Sequence, residues 1–135
     1  MAERVDDVRV WQTARELTRQ VYDVTKDGPF ESDWALKDQI RRAAISVMSN
    51  IAEGFESRTR SLFVDFLGRA KASAGEVRAQ LVIARDQEYV NEGEFEAVHD
   101  RADKVSRQLH NLIQSLERSN NPDDVREVPQ EYVTD

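Results

Sequence analysis

The chain has 135 residues, a formal charge of −7 and no cysteine. That length suits one domain with its own buried core, and the missing thiols exclude disulfides, zinc-finger spacings and a cysteine nucleophile. No run approaches the ~18–20 apolar residues of a membrane span, and the first thirty residues lack an apolar signal core, so the sequence predicts a cytoplasmic protein.

The acidic total argues against a generic polyanion binder, because phosphate contacts need surplus lysine and arginine. The charge is unevenly spread, however. Residues 37–85 hold nine basic against five acidic side chains, whereas the segments on either side are acidic.

In chain order, four segments space their apolar residues by alternating threes and fours, which predicts amphipathic helices. The first runs from about Asp7 to Lys26 on Val10, Ala14, Leu17, Val21 and Val24, and Asp27-Gly28-Pro29 breaks it. The second runs from Ser32 or Asp33 to Glu53 on Leu36, Ile40, Ala43, Val47 and Ile51, with Gly54 as a left-handed stop. Thr59 is the expected N-cap of the third, which carries Phe63, Phe66, Ala70, Ala74, Val77, Leu81 and Ala84 to about Gln87. Asn91 opens the fourth, with Phe95, Val98, Ala102, Val105, Leu109, Leu112 and Leu116.

No segment alternates with period two, and short linkers make sequence neighbours antiparallel. The expected fold is all-α, an antiparallel up-down-up-down four-helix bundle over residues 1–119. Residues 120–135 are acidic, contain Pro129 and have no apolar stripe, so they are expected to form a flexible tail.

The second segment has too much apolar surface for a bundle helix. On a wheel of ~100° per residue its apolar arc spans nearly 200°, against the ~100° such a helix needs, with Trp34 and Ile45 at the far edge. Beside the core stripe of the first segment, Trp11, Thr18, Tyr22 and Thr25 form a second line. Surplus surface of this kind favours contact with further copies of the chain.

Arg42, Ser46, Ser49 and Glu53 follow one another at steps of four, three and four. Serines there permit a close neighbouring backbone, and Arg42 and Glu53 lie too far apart along the helix to pair. Arg41 sits between Met48 and Ala52 on the wheel, so its head is expected on a carboxylate across an interface. The alternatives are phosphate contact and plain solvation. The subunit-interface candidates are Trp11, Tyr22, Trp34, Arg41, Ile45, Ser49, Asn50 and Glu53. The nucleic-acid candidates are Arg41, Arg42, Arg58 and Arg60.

Catalytic readings fare poorly. Glu96-Ala-Val-His99 is a Glu-x-x-His fragment of the di-iron bundles, but those sites need two such motifs and two more inward glutamates. Phe95, Val98 and Ala102 define the inward face, which turns Glu96 and His99 to solvent. No arginine stands five to seven residues before either histidine, so the helical Arg-x-His nuclease pattern fails. No phosphate-binding glycine loop or GxSxG elbow occurs. The expectation is no enzyme, no cofactor, no metal and no small-molecule substrate.

Val10-Trp11-Gln12, Ala14, Leu17, Val21-Tyr22 and Thr25 resemble the first helix of the four helix bundle protein family. That family is also called the S23 or 23S rRNA intervening-sequence-encoded protein family. Leu36, then Gln39-Ile40-Arg41-Arg42-Ala43-Ala44, Ser46 and Ser49-Asn50-Ile51-Ala52-Glu53-Gly54 resemble its most distinctive motif. Phe63, Phe66-Leu67, Ala70, Ser73, Glu76 and Gln80-Leu81 agree in spacing, as do Leu112-Ile113 and Ser115-Leu116. Leu62 departs from the family's acidic residue, and Gly75 brings a helix-weakening residue into the third helix. The resemblance, over residues 8–118, implies a bundle that assembles into a ring, typically a pentamer, around a channel. Related accessory proteins of diversity-generating retroelements associate with a reverse transcriptase and nucleic acid, but are markedly basic.

Two functional expectations follow from residues and resemblance together. One is a non-catalytic homo-oligomer associated with RNA, or with a nucleic-acid enzyme such as a reverse transcriptase, through the basic middle helices. The other is a protein-interaction scaffold that binds no nucleic acid, with its arginines used in subunit contacts and its acidic exterior recruiting a basic partner.

Overall fold

A computed structural model describes residues 2–118 and 127–134. Its helices are α1 (Arg9–Thr25), α2 (Gly28–Ser32), α3 (Trp34–Phe55), α4 (Arg60–Asp86) and α5 (Glu92–Glu117), with 3₁₀ turns at Val5–Asp7 and Gln130–Tyr132. Among the described residues there is no strand, so the fold is all-α.

Local chemistry sets most of the helix boundaries. Asp33 caps α3 by accepting the Leu36 N–H at 3.1 Å, and Thr59 caps α4 by accepting that of Leu62 at 3.2 Å. Asn91 and Glu94 form a reciprocal capping box at the start of α5, with bonds of 2.8 and 3.0 Å. Each cap satisfies a backbone N–H that the helix itself leaves unpaired.

The break at Asp27-Gly28-Pro29 is real, but it begins a helix as well as ending one. Gly28 has φ +68°, a backbone conformation that glycine adopts without penalty. Pro29 then stands in the first turn of α2, where its missing N–H costs nothing. This one-turn helix buries Phe30 completely, with its ring 5.3 Å from that of Tyr89.

Gly54 departs from expectation. The α3 helix runs through it to Phe55, and the closing residue Glu56 is right-handed. Gly54 is required instead because α4 crosses so closely. A β-carbon there would lie 2.9 Å from Phe63 Cδ1 and 3.0 Å from Phe66 Cβ.

The four long helices enclose one core. α1 packs against α3 and α5, α3 against α4, and α4 against α5. Contacts at both ends give the directions. Gly54 meets Phe63, while Ser46 Oγ lies 2.9 Å from Ser73 Oγ, so α3 and α4 run antiparallel. Arg60 reaches the Leu116 carbonyl and Arg78 the Ser106 hydroxyl, so α4 and α5 do as well. The stripes read from sequence supply most of the core: Leu17, Ile40, Ile51, Phe63, Leu81, Leu109, Leu112 and Leu116 are all fully buried, while on α4 Leu67 takes the buried place expected of Phe66, which is half-buried.

The expectation of a flexible tail over 120–135 needs correction at its distal part. Glu127 to Thr134 lie back along the start of the chain. Val133 bridges to Val8, and Thr134 N donates to the Asp7 carbonyl at 2.8 Å. Arg9 donates to the carbonyls of Glu131 and Val133. Val128 and Val133 are buried against the core. Two isolated valines leave no helical stripe to recognise, yet each covers apolar surface at the end of the helices. The rest of the expected tail, 119–126 and Asp135, lies outside the described residues.

Candidate interaction surfaces

The outer seam between α1 and α3 carries exposed apolar residues that the core does not use, as does α4 at Leu62, Val82 and Ile83. On α3, Trp34, Arg41, Ile45 and Met48 follow at steps of seven, four and three, and on α1, Trp11, Thr18, Tyr22 and Thr25 repeat that spacing. These intervals put each set on one helical face. Trp34 is 69% exposed, Ile45 43% and Tyr22 39%, whereas Trp11 and Met48 are partly buried against the core.

The seam is built from defined contacts. Thr18 Oγ1 bonds its own helix at the Ala14 carbonyl, 2.9 Å away, and approaches the Ala44 carbonyl of α3 at 3.4 Å. The Arg41 guanidinium lies 4.2 Å from the centre of the Tyr22 ring, and its Nε donates to Thr25 Oγ1 at 2.8 Å. The expected carboxylate partner of Arg41 is thus replaced within the chain by an aromatic face and a hydroxyl. A cation over an aromatic ring is worth ~0.5–1 kcal/mol at an exposed site, enough to hold the head in place.

Trp34 projects from an anchored corner. Asp33, just before it, uses Oδ1 to cap α3 and Oδ2 to accept the Tyr89 hydroxyl at 2.9 Å. That bond ties the start of α3 to the turn between α4 and α5. It also raises the Tyr89 phenol above its ordinary 10.0, because ionisation would destroy the hydrogen bond and set two anions together.

The polar face of α3 meets α4 through Ser46 and is otherwise largely exposed. Asn50 Nδ2 donates to the Ser46 carbonyl at 2.9 Å and to Ser46 Oγ at 3.0 Å, and Ser46 in turn meets Ser73. Asn50, an interface candidate, is therefore engaged inside the chain, while Ser49 and Glu53 are exposed. Ser46 does meet a neighbouring helix, but it is α4 of the same chain.

The four candidate nucleic-acid arginines do not converge. Arg41 faces α1. Arg42 pairs with Asp38 at 2.9 Å on the exposed face. Arg60 bends to the Leu116 carbonyl, with its Nε buried and unpartnered among the described residues. Arg58 is exposed in the turn before α4, past the end of α3, which lies about 20 Å along the helix axis from Arg42 at ~1.5 Å per residue. Lys71, Arg107 and His110 do come together between α4 and α5, and Arg78 reaches Ser106 of the same lining. They stand on two segments, so no local motif announces them.

Among the described residues no group of three His, Cys, Asp or Glu side chains is placed to hold a metal ion. His99 stacks on Phe95 at 5.2 Å, and Glu96 is exposed. No described helix is long and apolar enough to cross a membrane.

The model of the 23S rRNA-intervening sequence proteins matches residues 6–111, most of the chain. The chain belongs to this family. A solved structure described as a protein of unknown function from the S23 ribosomal protein family of Bacteroides thetaiotaomicron is similar in fold, with TM-score 0.68 and 20% identity over 78% of this chain and 98% of that one. No curated protein matches. In this 23S rRNA-intervening sequence protein the matched region holds the whole α1–α3 seam and stops before the strap at 127–134.

Proposed function

We propose that this family member is a non-catalytic accessory protein of the cytoplasm, an up-down-up-down four-helix bundle that joins further copies of itself in a ring, typically a pentamer, and associates with RNA. The observation that carries the assembly is the exposed Trp34–Ile45–Tyr22 seam. An exposed indole, with an exposed isoleucine three turns further along the same face of α3 and a tyrosine across the seam on α1, is surface suited to burial against another chain. RNA association is supported by the family's tie to 23S rRNA intervening sequences and by the basic middle of the chain.

A solution mass from light scattering tests the assembly. The wild type is expected at a multiple of the chain mass, and Trp34→Glu with Ile45→Glu at the mass of one chain with its helicity kept. A wild type that stays monomeric at high concentration would refute the ring.

One observation favours a second reading, a scaffold that binds protein and no nucleic acid. Arg41 and Arg42 are both engaged within the chain, which leaves less positive charge for phosphates. Retardation of RNA by the purified protein separates the readings. It should weaken steeply with salt in the first and be absent at any salt in the second.

A further inference from the structure

The groove between α4 and α5 contains a depression lined by two cations and by hydrogen-bonding side chains. It has a volume of about 300 Å³ and is lined by Lys71, Ser106, Arg107, His110 and Asn111, with no carboxylate. The depression over α3 and α4 holds Glu76 as well as Arg42, and another on α5, which shares Arg107, holds Asp100 as well as Arg101 and Lys104. In those two, an anion entering would meet a negative charge.

The cations of the α4–α5 depression are available. Lys71 is exposed and has no ion-pair partner among the described residues. Arg107 holds only Asp103, one turn earlier on its own helix at 3.3 Å, an exposed pair of the kind worth little. Arg78 donates to Ser106 Oγ, which fixes that nearly buried hydroxyl as an acceptor and leaves its proton free to bond an anion. Asn111 adds an amide, and His110 a ring nitrogen.

The rim beside Lys71 is low. Gly68 and Gly75 stand three residues before and four after it on the same face of α4. A β-carbon at Gly68 would meet nothing within 4 Å, and one at Gly75 only the end of Arg78, at 3.7 Å. Packing within the chain demands neither glycine, and both leave room for a strand to pass Lys71.

We propose that this depression seats a backbone phosphate of single-stranded RNA, with Lys71 and Arg107 supplying charge and Ser106, His110 and Asn111 hydrogen bonds. It takes over the role that sequence had assigned to Arg41, Arg42, Arg58 and Arg60, and it rests on the RNA-associated reading above. A depression this small suits one phosphodiester, which a flexible strand can lower into it.

The test is anisotropy of a labelled oligouridylate titrated with the full chain across a range of salt. Lys71→Glu with Arg107→Glu is compared with Arg42→Glu with Arg58→Glu as control, with circular dichroism and light scattering on each. The groove pair should bind about tenfold more weakly, with a log–log salt slope shallower by ~0.7 for each phosphate that is no longer neutralised, while the control pair, equal in charge change, loses clearly less. If the control pair loses binding and the groove pair keeps it, the site is wrong and the RNA reading stands. If the wild type fails to bind even at low salt, that reading falls and the site with it. If inorganic phosphate shifts the Lys71 and Arg107 resonances while oligouridylate does not, the depression takes free phosphate and the proposal is overturned.

Discussion

Gly54 of α3 lies directly beneath the ring of Phe63 at the start of α4, with space for a hydrogen but none for a methyl group. A β-carbon would stand 2.9 Å from the ring edge and 3.3 Å from the Phe63 carbonyl. Phe63 is fully buried, so it has nowhere to retreat. Gly54→Ala should therefore destabilise by about 1–3 kcal/mol, despite alanine's better helix propensity, because overpacking outweighs the propensity gain. Urea unfolding checks the sign, and a neutral or stabilising result would mean that α4 can move away.

Gly68 makes the opposite prediction from the same residue type. Its surroundings are open and it sits inside α4. Gly68→Ala should stabilise by up to ~1 kcal/mol through reduced backbone entropy in the unfolded chain and better helix propensity. A rise in the urea midpoint at unchanged slope is the expected reading.

Glu88 has φ +62°, just past the end of α4, where the Tyr89 N–H returns to the Ala84 carbonyl at 2.9 Å. This is the position where helices commonly place glycine in a left-handed turn. Glu88→Gly should gain roughly 1 kcal/mol by removing a strained side chain. Thermal unfolding would register it as a higher midpoint.

The Asp33–Tyr89 bond predicts alkaline sensitivity. The folded phenol titrates above its unfolded value, so its contribution is fully present below about pH 10 and disappears as pH rises through the folded pKa. Wild type should exceed Tyr89→Phe in stability at neutral pH, with the gap closing in strong base. A gap that stays constant through that range would show that the bond contributes nothing.

The strap at 127–134 should matter for stability. A chain ending at residue 126 uncovers Val8 and forgoes the burial of Val128 and Val133. Full burial of one such side chain is worth ~1.5–3 kcal/mol before the entropy of ordering the segment is subtracted. A lower melting temperature with unchanged helical content is expected, and an unchanged melting temperature would mean that the strap's burial merely balances its ordering cost.

Periodicity alone determined the four long helices, their buried stripes apart from the half-buried Val24 and Phe66, and two of the caps, because a helix of this length must bury one face and both signals are local. Thr59 and Asn91 stand at helix starts as the spacing required. The overwide apolar face of α3 was legible too, and Trp34 and Ile45 are exposed as a single chain would leave them. What only tertiary structure decided was which polar groups meet. Arg41 found Tyr22 and Thr25 rather than a carboxylate, Gly54 served a helix crossing rather than a stop, and Val133 closed on Val8 across nearly the whole chain. Lys71 and Arg107 came to one depression from separate helices. Such pairings depend on how helices are placed against one another, and a helical repeat fixes which face a residue occupies but not what that face will touch.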